Sequence, residues 1–197
     1  DDPEISAHSI MLAQRILAYI TGGGGGYKLY DIDARLGPEG GNSPLAISIG
    51  EYKRYLKHRA SVWERLAMIR SRCLISPKVL TDEIADALES FVFEKPLRPS
   101  ETKNIMDIRK SMLDNSAKRY PGLMNIKSGA GGIADIDFIA QSYAIHFGAV
   151  NAELRLHETE SIIEMLGETT IITRHDASSL LELYEFLRDV EKSIRIG

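Results

Sequence analysis

From Ser48 onward the apolar residues of this chain recur at intervals of three and four, and that period constrains the fold more than any other feature. Ser48 and Glu51 have the spacing of a capping box before a long helical segment that carries Tyr52, Tyr55, Leu56, Trp63, Leu66 and Met68. Ser100 is placed to cap a helix with Ile105, Ile108 and Met112 on one stripe, and Ile136, Ala140, Tyr143 and Phe147 form another stripe. Thr159 is expected to open a short helix that Gly167 closes. Asp176 is expected to cap a last one with Leu180, Leu183, Leu187, Val190 and Ile194 on its apolar side. Trp63 and Tyr143, at helical spacing, read as core.

The first fifty residues read differently. Ile10, Ala13, Leu17 and Ile20 mark an amphipathic helix that the glycines from Gly22 onward stop. After them "YKLYDIDARL" alternates, with Tyr30, Ile32, Ala34 and Leu36 on one side and Leu29, Asp31, Asp33 and Arg35 on the other, which predicts a half-buried strand. "GPEGGNSP" is turn chemistry, and "LAISI" predicts a second short strand. The fold class expected is therefore α+β but mostly α. Residues 1–49 form part of an α+β unit and residues 50–197 a helical bundle.

Composition narrows the setting. At 197 residues and 44% hydrophobic the chain can bury a sizeable core. Its single cysteine, Cys73, excludes an internal disulfide, and no Cys/His cluster has zinc spacing, so a reducing, cytoplasmic location is expected. No apolar run approaches the roughly 20 residues that cross a bilayer, so no membrane partner is expected. The net charge of −4 argues against a nucleic-acid partner. The charge is uneven: Glu51 to Arg72 holds seven Lys/Arg against two Glu, and Asn151 to Lys192 holds four against ten acids. Such runs are solvated helix faces or, for the basic one, a wall beside a phosphate-bearing ligand. The chain opens without a methionine, as a piece of a longer protein would.

The aspartate strand is the first candidate site. Residues two apart on a strand lie roughly 6.5 to 7 Å apart and face one side, so Asp31 and Asp33 can flank one ion. Hard carboxylate oxygens suit Mg²⁺, which keeps waters and shares substrate phosphates. Arg35, on the same face, could neutralise phosphate charge or pair with Asp33. The five glycines before them lack the Lys-Ser/Thr ending of a P-loop and lead into a strand, so they read as a helix stop and connector. Lys127, with "SGAGG" before a helix, could bind an anion or could simply mark a turn. None of the five histidines has a triad-like arrangement.

Four blocks carry a resemblance to a known family. "LYDIDARLGPEGGNSPL" resembles the Y-x-V-D-x-R-L-R-P-x-G-x-x-G-x-L segment of the glutamine synthetase adenylyltransferases. "YLKHRASVWERLAMIRSR" resembles their W-E and R-A-R block, "NIKSGAGGIADIDFIAQ" their D-I-K-x-G-x-G-G-I-x-D-x-E-F block, and "LYEFLRDVE" their late Y-x-F-L-R-x-x-E. The resemblance implies part of a DNA polymerase β-like nucleotidyltransferase unit followed by a helical bundle. It implies use of ATP with Mg²⁺ or Mn²⁺ to move AMP on or off a tyrosine of glutamine synthetase. Asp33 falls on a family metal carboxylate and Asp31 beside it, Arg70 and Arg72 match R-A-R, and Asp137 stands at the family Glu position.

The departures count too. Gly37 replaces the Arg of R-L-R-P, Ser43 replaces a usual Gly, and nothing before Tyr27 matches the upstream G-S-x-x-D-x-D that would complete the metal site. "DIDF" leans toward the adenylylating over the deadenylylating module. The alternative expectation is a non-catalytic helical module that binds glutamine synthetase or a nitrogen-status signalling protein.

Overall fold

The computed structural model describes residues 3–23, 27–30, 32–33, 37–38, 43–73 and 77–196. They form eight α-helices in two compact units, Asp1–Ala60 and Ser61–Gly197.

The first unit holds α1 (Pro3–Ile20) and α2 (Ile49–His58). Ile10, Ala13, Leu17 and Ile20 are half-buried while Leu12, Ile16 and Tyr19 face outward, so the amphipathic stripe lies where its spacing put it. Gly22 ends α1 with φ 84°, a left-handed conformation that glycine adopts without a Cβ penalty. Gly23 N–H donates back to Ala18 O at 2.7 Å. Ser48 caps α2, its Oγ accepting from Glu51 N–H at 3.2 Å. Tyr55 and Leu56 are its buried residues, with the Arg59 guanidinium 5.2 Å from the centre of the Tyr55 ring.

Neither expected strand forms among the described residues, and the α+β part of the expected fold class is not seen there. Tyr27 to Tyr30, Ile32, Asp33 and Leu45 to Ser48 are irregular. Alternation marks a segment able to lie half-buried in a sheet, but a strand exists only where a neighbour completes its ladder. Here Leu29 and Tyr30 N–H groups both turn to Ile20 O at the end of α1 instead.

The second unit is a helical bundle of α3 (Val62–Met68), α4 (Lys78–Phe93), α5 (Pro99–Arg119), α6 (Ile133–Gly148), α7 (Thr159–Glu168) and α8 (Arg174–Ile196). The expected long helix from Ser48 is split. Glu64 Oε2 accepts from Ser61 N–H at 2.8 Å, a cap that starts α3 as a separate helix. The central element is α6, which packs against α3, α4, α5, α7 and α8. Its Ala140 and Ala144 have no exposed surface, and such small side chains let neighbouring helices come close. Ile162, Ile163 and Leu166 of α7 are also fully buried, each worth about 1.5–3 kcal/mol of transfer free energy.

Several helix ends differ from their sequence signals. Pro99 begins α5 and Glu101 accepts from Arg98 N–H at 2.8 Å, so Ser100 lies inside the first turn rather than capping it. Thr173, not Asp176, caps α8: its Oγ1 accepts from Asp176 N–H at 3.0 Å. Glu158 precedes α7, and Thr159 is its buried first residue. Gly167 lies within α7 rather than closing it, where an added Cβ would stand 2.8 Å from Ala177 Cβ. It is there for close approach of α8. The buried side of α8 runs through Ala177, Tyr184 and Leu187, leaving Leu183 and Ile194 exposed. Trp63 and Tyr143 are likewise exposed, at 39% and 37%.

One buried cation joins three elements. Arg65 Nη2 donates to Val92 O at 2.7 Å and Lys95 O at 2.6 Å, capping the end of α4, and its Nη1 lies 3.7 Å from Glu101 of α5. Burial pulls its pKa down, only partly offset by Glu101.

Candidate functional site

Asp33 is exposed and lies in an irregular segment of the first unit. Asp31 and Arg35 lie outside the described residues. Among the described residues no group of three or more His, Cys, Asp or Glu side chains gathers as a metal site would require. An exposed carboxylate is the donor type that hydrated Mg²⁺ takes, so Asp33 suits one ligand position, and the described residues supply only part of a donor set.

Lys127 belongs to the second unit, with its side chain exposed. The glycine turn around it has protein acceptors for its own N–H groups. Asn125 Oδ1 accepts from Lys127 and Ser128 N–H at 3.0 Å each, Asn125 O accepts from Gly129, and Asp135 Oδ2 accepts from Gly131 N–H at 2.7 Å. The turn is locked from α5 by Arg109, whose guanidinium donates to Ser128 O (3.0 Å), Gly129 O (2.8 Å) and Asp135 Oδ1 (2.7 Å). These backbone groups set the start of α6, and the backbone anion cradle considered for "SGAGG" is taken up by the protein itself. Arg109 was not among the sequence candidates. Its position four residues after Ile105 places it on the buried stripe of α5, the one signal that could have found it.

The second cluster joins four helices or their ends. Arg70, just beyond α3, donates through Nη2 to Asp137 Oδ1 of α6 and to Thr159 Oγ1 of α7. Thr159 Oγ1 in turn donates to Asp137 Oδ1 at 2.8 Å. Tyr184 of α8 completes the group, interacting electrostatically with Thr159 and Arg70. Thr159 is 1% exposed and Tyr184 4%. Burial, reinforced by the Asp137 and Glu160 charges, pushes the Tyr184 phenol up from its ordinary value against the opposing pull of Thr159 and Arg70. Burial works against charge on Arg70, and Asp137 more than offsets it, leaving its pKa raised. The phenol is thus held neutral beside a salt bridge, an arrangement suited to fixing helix positions rather than to proton transfer.

Three of the four sequence blocks meet here: Arg70 comes from the W-E and R-A-R block, Asp137 from the G-G-I block and Tyr184 from the late Y-x-F-L-R block. Comparison with known proteins gives the same grouping over the whole chain. Residues 2–86 match the family model for glutamate-ammonia ligase adenylyltransferase. A bifunctional glutamine synthetase adenylyltransferase/adenylyl-removing enzyme of Rhizobium meliloti (strain 1021) is 33% identical over 198 residues, covering 100% of this chain and 20% of that protein. The chain is similar along its whole length to the glutamine synthetase adenylyltransferase family.

Other relatives agree. The enzyme of the same name from Shewanella woodyi is 33% identical over 94% of this chain and 20% of its own length, and that of Xanthomonas oryzae pv. oryzae is 28% identical over 90% and 19%. The chain spans about a fifth of the length of these curated adenylyltransferase relatives. Residues 106–196 also match a family model for GlnD PII-uridylyltransferase. The Thr159 cluster therefore joins Arg70, from the first matched region, to Asp137, Thr159 and Tyr184, from the second.

Proposed function

We propose that this chain is a module of a glutamine synthetase adenylyltransferase-like enzyme, working in the cytoplasm, that transfers AMP from ATP to a tyrosine of glutamine synthetase or removes it by phosphorolysis. The observation that carries the reading is similarity to bifunctional adenylyltransferase/adenylyl-removing enzymes along the full chain. In this reading residues 1–49 are the C-terminal part of a DNA polymerase β-like nucleotidyltransferase domain and residues 50–197 the helical domain that follows it. Asp33, assisted by Asp31, would hold Mg²⁺ or Mn²⁺, and Arg35 and the exposed Lys127 side chain would meet phosphate. Bound there, such an ion would supply positive charge to the triphosphate oxygens. The remaining carboxylates would come from parts of the longer protein.

A second reading rests on the match of residues 106–196 to a PII-uridylyltransferase model. A helical unit shared with an enzyme of another name fits a docking role, with glutamine synthetase or a nitrogen-status signalling protein as the partner and no catalysis of its own.

The test is adenylyl transfer by the full-length enzyme carrying Asp33→Asn, with metal-dependent ATP binding measured by calorimetry. Transfer should be lost while the circular dichroism spectrum is unchanged. Wild-type turnover in that variant would refute the assignment of Asp33 and favour the docking reading.

A further inference from the structure

The second unit contains a cleft of about 410 Å³ lined by the C-terminal end of α3, one side of α4 and residues between Ala152 and His157. Its apolar wall is core: Ile69 is fully buried, and Val92 and Phe93 are each 2% exposed, so packing fixes its shape. Its charge is one-sided. Arg72 and Arg155 stand against Glu89, and Arg155 Nη1 already donates to Glu89 at 2.8 Å.

Two of the lining groups are held in place. Arg155 Nε donates to Gly148 O at 2.9 Å, which fixes the plane of the guanidinium. His157 Nδ1 faces the carbonyl oxygen of Ile69. A carbonyl only accepts, so Nδ1 carries the proton and Nε2 is the nitrogen left for another partner. Arg72 is exposed and has no ion-pair or hydrogen-bond partner among the described residues.

We propose that this cleft binds a small monocarboxylate with an apolar body, the carboxylate meeting Arg72 and the body lying on the half-buried Ile84 and Leu88. The volume falls within the range of small-molecule sites, about 300–1,000 Å³. A cationic ligand would meet like charge there. A wholly apolar one would cover the arginines without giving them an acceptor. A carboxylate matches the guanidinium fork. The proposal does not rest on the transfer chemistry proposed above.

Calorimetric titration of octanoate into the chain tests it, with 1-octanol as the uncharged counterpart and two variants. Arg72→Gln removes the exposed cation, and Ala85→Phe fills the cleft from α4, where Ala85 is part of the lining. Octanoate should bind saturably at one site, and 1-octanol about tenfold or more weakly. Arg72→Gln should weaken octanoate about tenfold, and Ala85→Phe should abolish its binding. Absence of saturable octanoate binding, equal binding of the two probes, or octanoate binding untouched by both variants would overturn the proposal. Should a variant fail to fold, the comparison of the two probes on the wild-type chain still decides.

Discussion

Replacing Asp137 by Asn separates charge from shape at the Thr159 cluster, because an amide oxygen can still accept from Arg70 and Thr159 while the ion pair is gone. Exposed ion pairs contribute about 0.2–1 kcal/mol, and removing one partner of a buried pair costs about 3–5 kcal/mol. The Arg70 side chain retains 39% exposure and that of Asp137 18%, so solvent screens the pair from one side. The expected loss for Asp137→Asn is therefore about 1.5–2 kcal/mol. Trp63, the only tryptophan, lies in α3 of the second unit, and its fluorescence during urea unfolding reports that unit. With a slope of about 2 kcal/mol per molar urea, the midpoint should fall by about 0.8–1 M. Arg70→Met and the double variant complete a cycle whose coupling should be about 1 kcal/mol or more. A midpoint shift under about 0.2 M, or strictly additive losses, would refute the argument that the charge pair stabilises the bundle.

Three other perturbations have definite outcomes. Arg109→Ala removes the guanidinium donor from Ser128 O, Gly129 O and Asp135 Oδ1 and should cost about 2–4 kcal/mol, with amide exchange speeding up at Gly129 to Gly132; unchanged exchange there would show that the turn holds itself. Gly167→Ala drives a methyl toward Ala177 Cβ and should cost about 1–3 kcal/mol in urea unfolding, most of it regained when Ala177→Gly is added. Failure of that rescue would place the cost elsewhere. Burial opposes charge on Glu101, but the Arg98 hydrogen bonds and the Arg98 and Arg65 charges outweigh it and hold the carboxyl below its ordinary 4.5. Its folded pKa is below its unfolded one, so the stabilisation is complete above about pH 4.5 and is lost as pH falls through the folded value. Glu101→Gln should make the acid limb of stability, followed by Trp63 fluorescence, shallower; an unaltered limb would count against this pairing.

The sequence made the helices legible wherever a single stripe faces a single neighbour. Ile10, Ala13, Leu17 and Ile20 are the sheltered residues of α1 because one face alone is covered. It misled where the environment has more sides. Around α6, in contact with five other helices, even Gln141 is buried while Tyr143 is not, so apolar spacing alone does not mark its inner face. Helix starts were displaced because several residues in one turn can supply a cap, and Thr173 reached the free N–H groups before Asp176 could. The alternation from Tyr27 to Leu36 describes what that segment can bury, whereas strand formation depends on a partner that no local pattern encodes. As for the candidate site, Arg70 and Asp137 were each marked by a family block, but their pairing spans 67 residues and no local rule reaches that far.

The same distances bear on how the chain reaches its fold. Arg70 and Thr159 are 89 residues apart, and Asp137 and Thr159 are 22. Closing such loops costs entropy before any contact repays it, so helix pairs near in sequence, such as α7 with α8, are expected to dock before the Thr159 hydroxyl finds its partners. Contacts made after the folding barrier leave the refolding rate almost unaltered and act on the rate of escape. Arg70, Asp137, Thr159 and Tyr184 would then govern the lifetime of the folded bundle: weakening any of them should leave the chain folding at its usual speed and opening sooner.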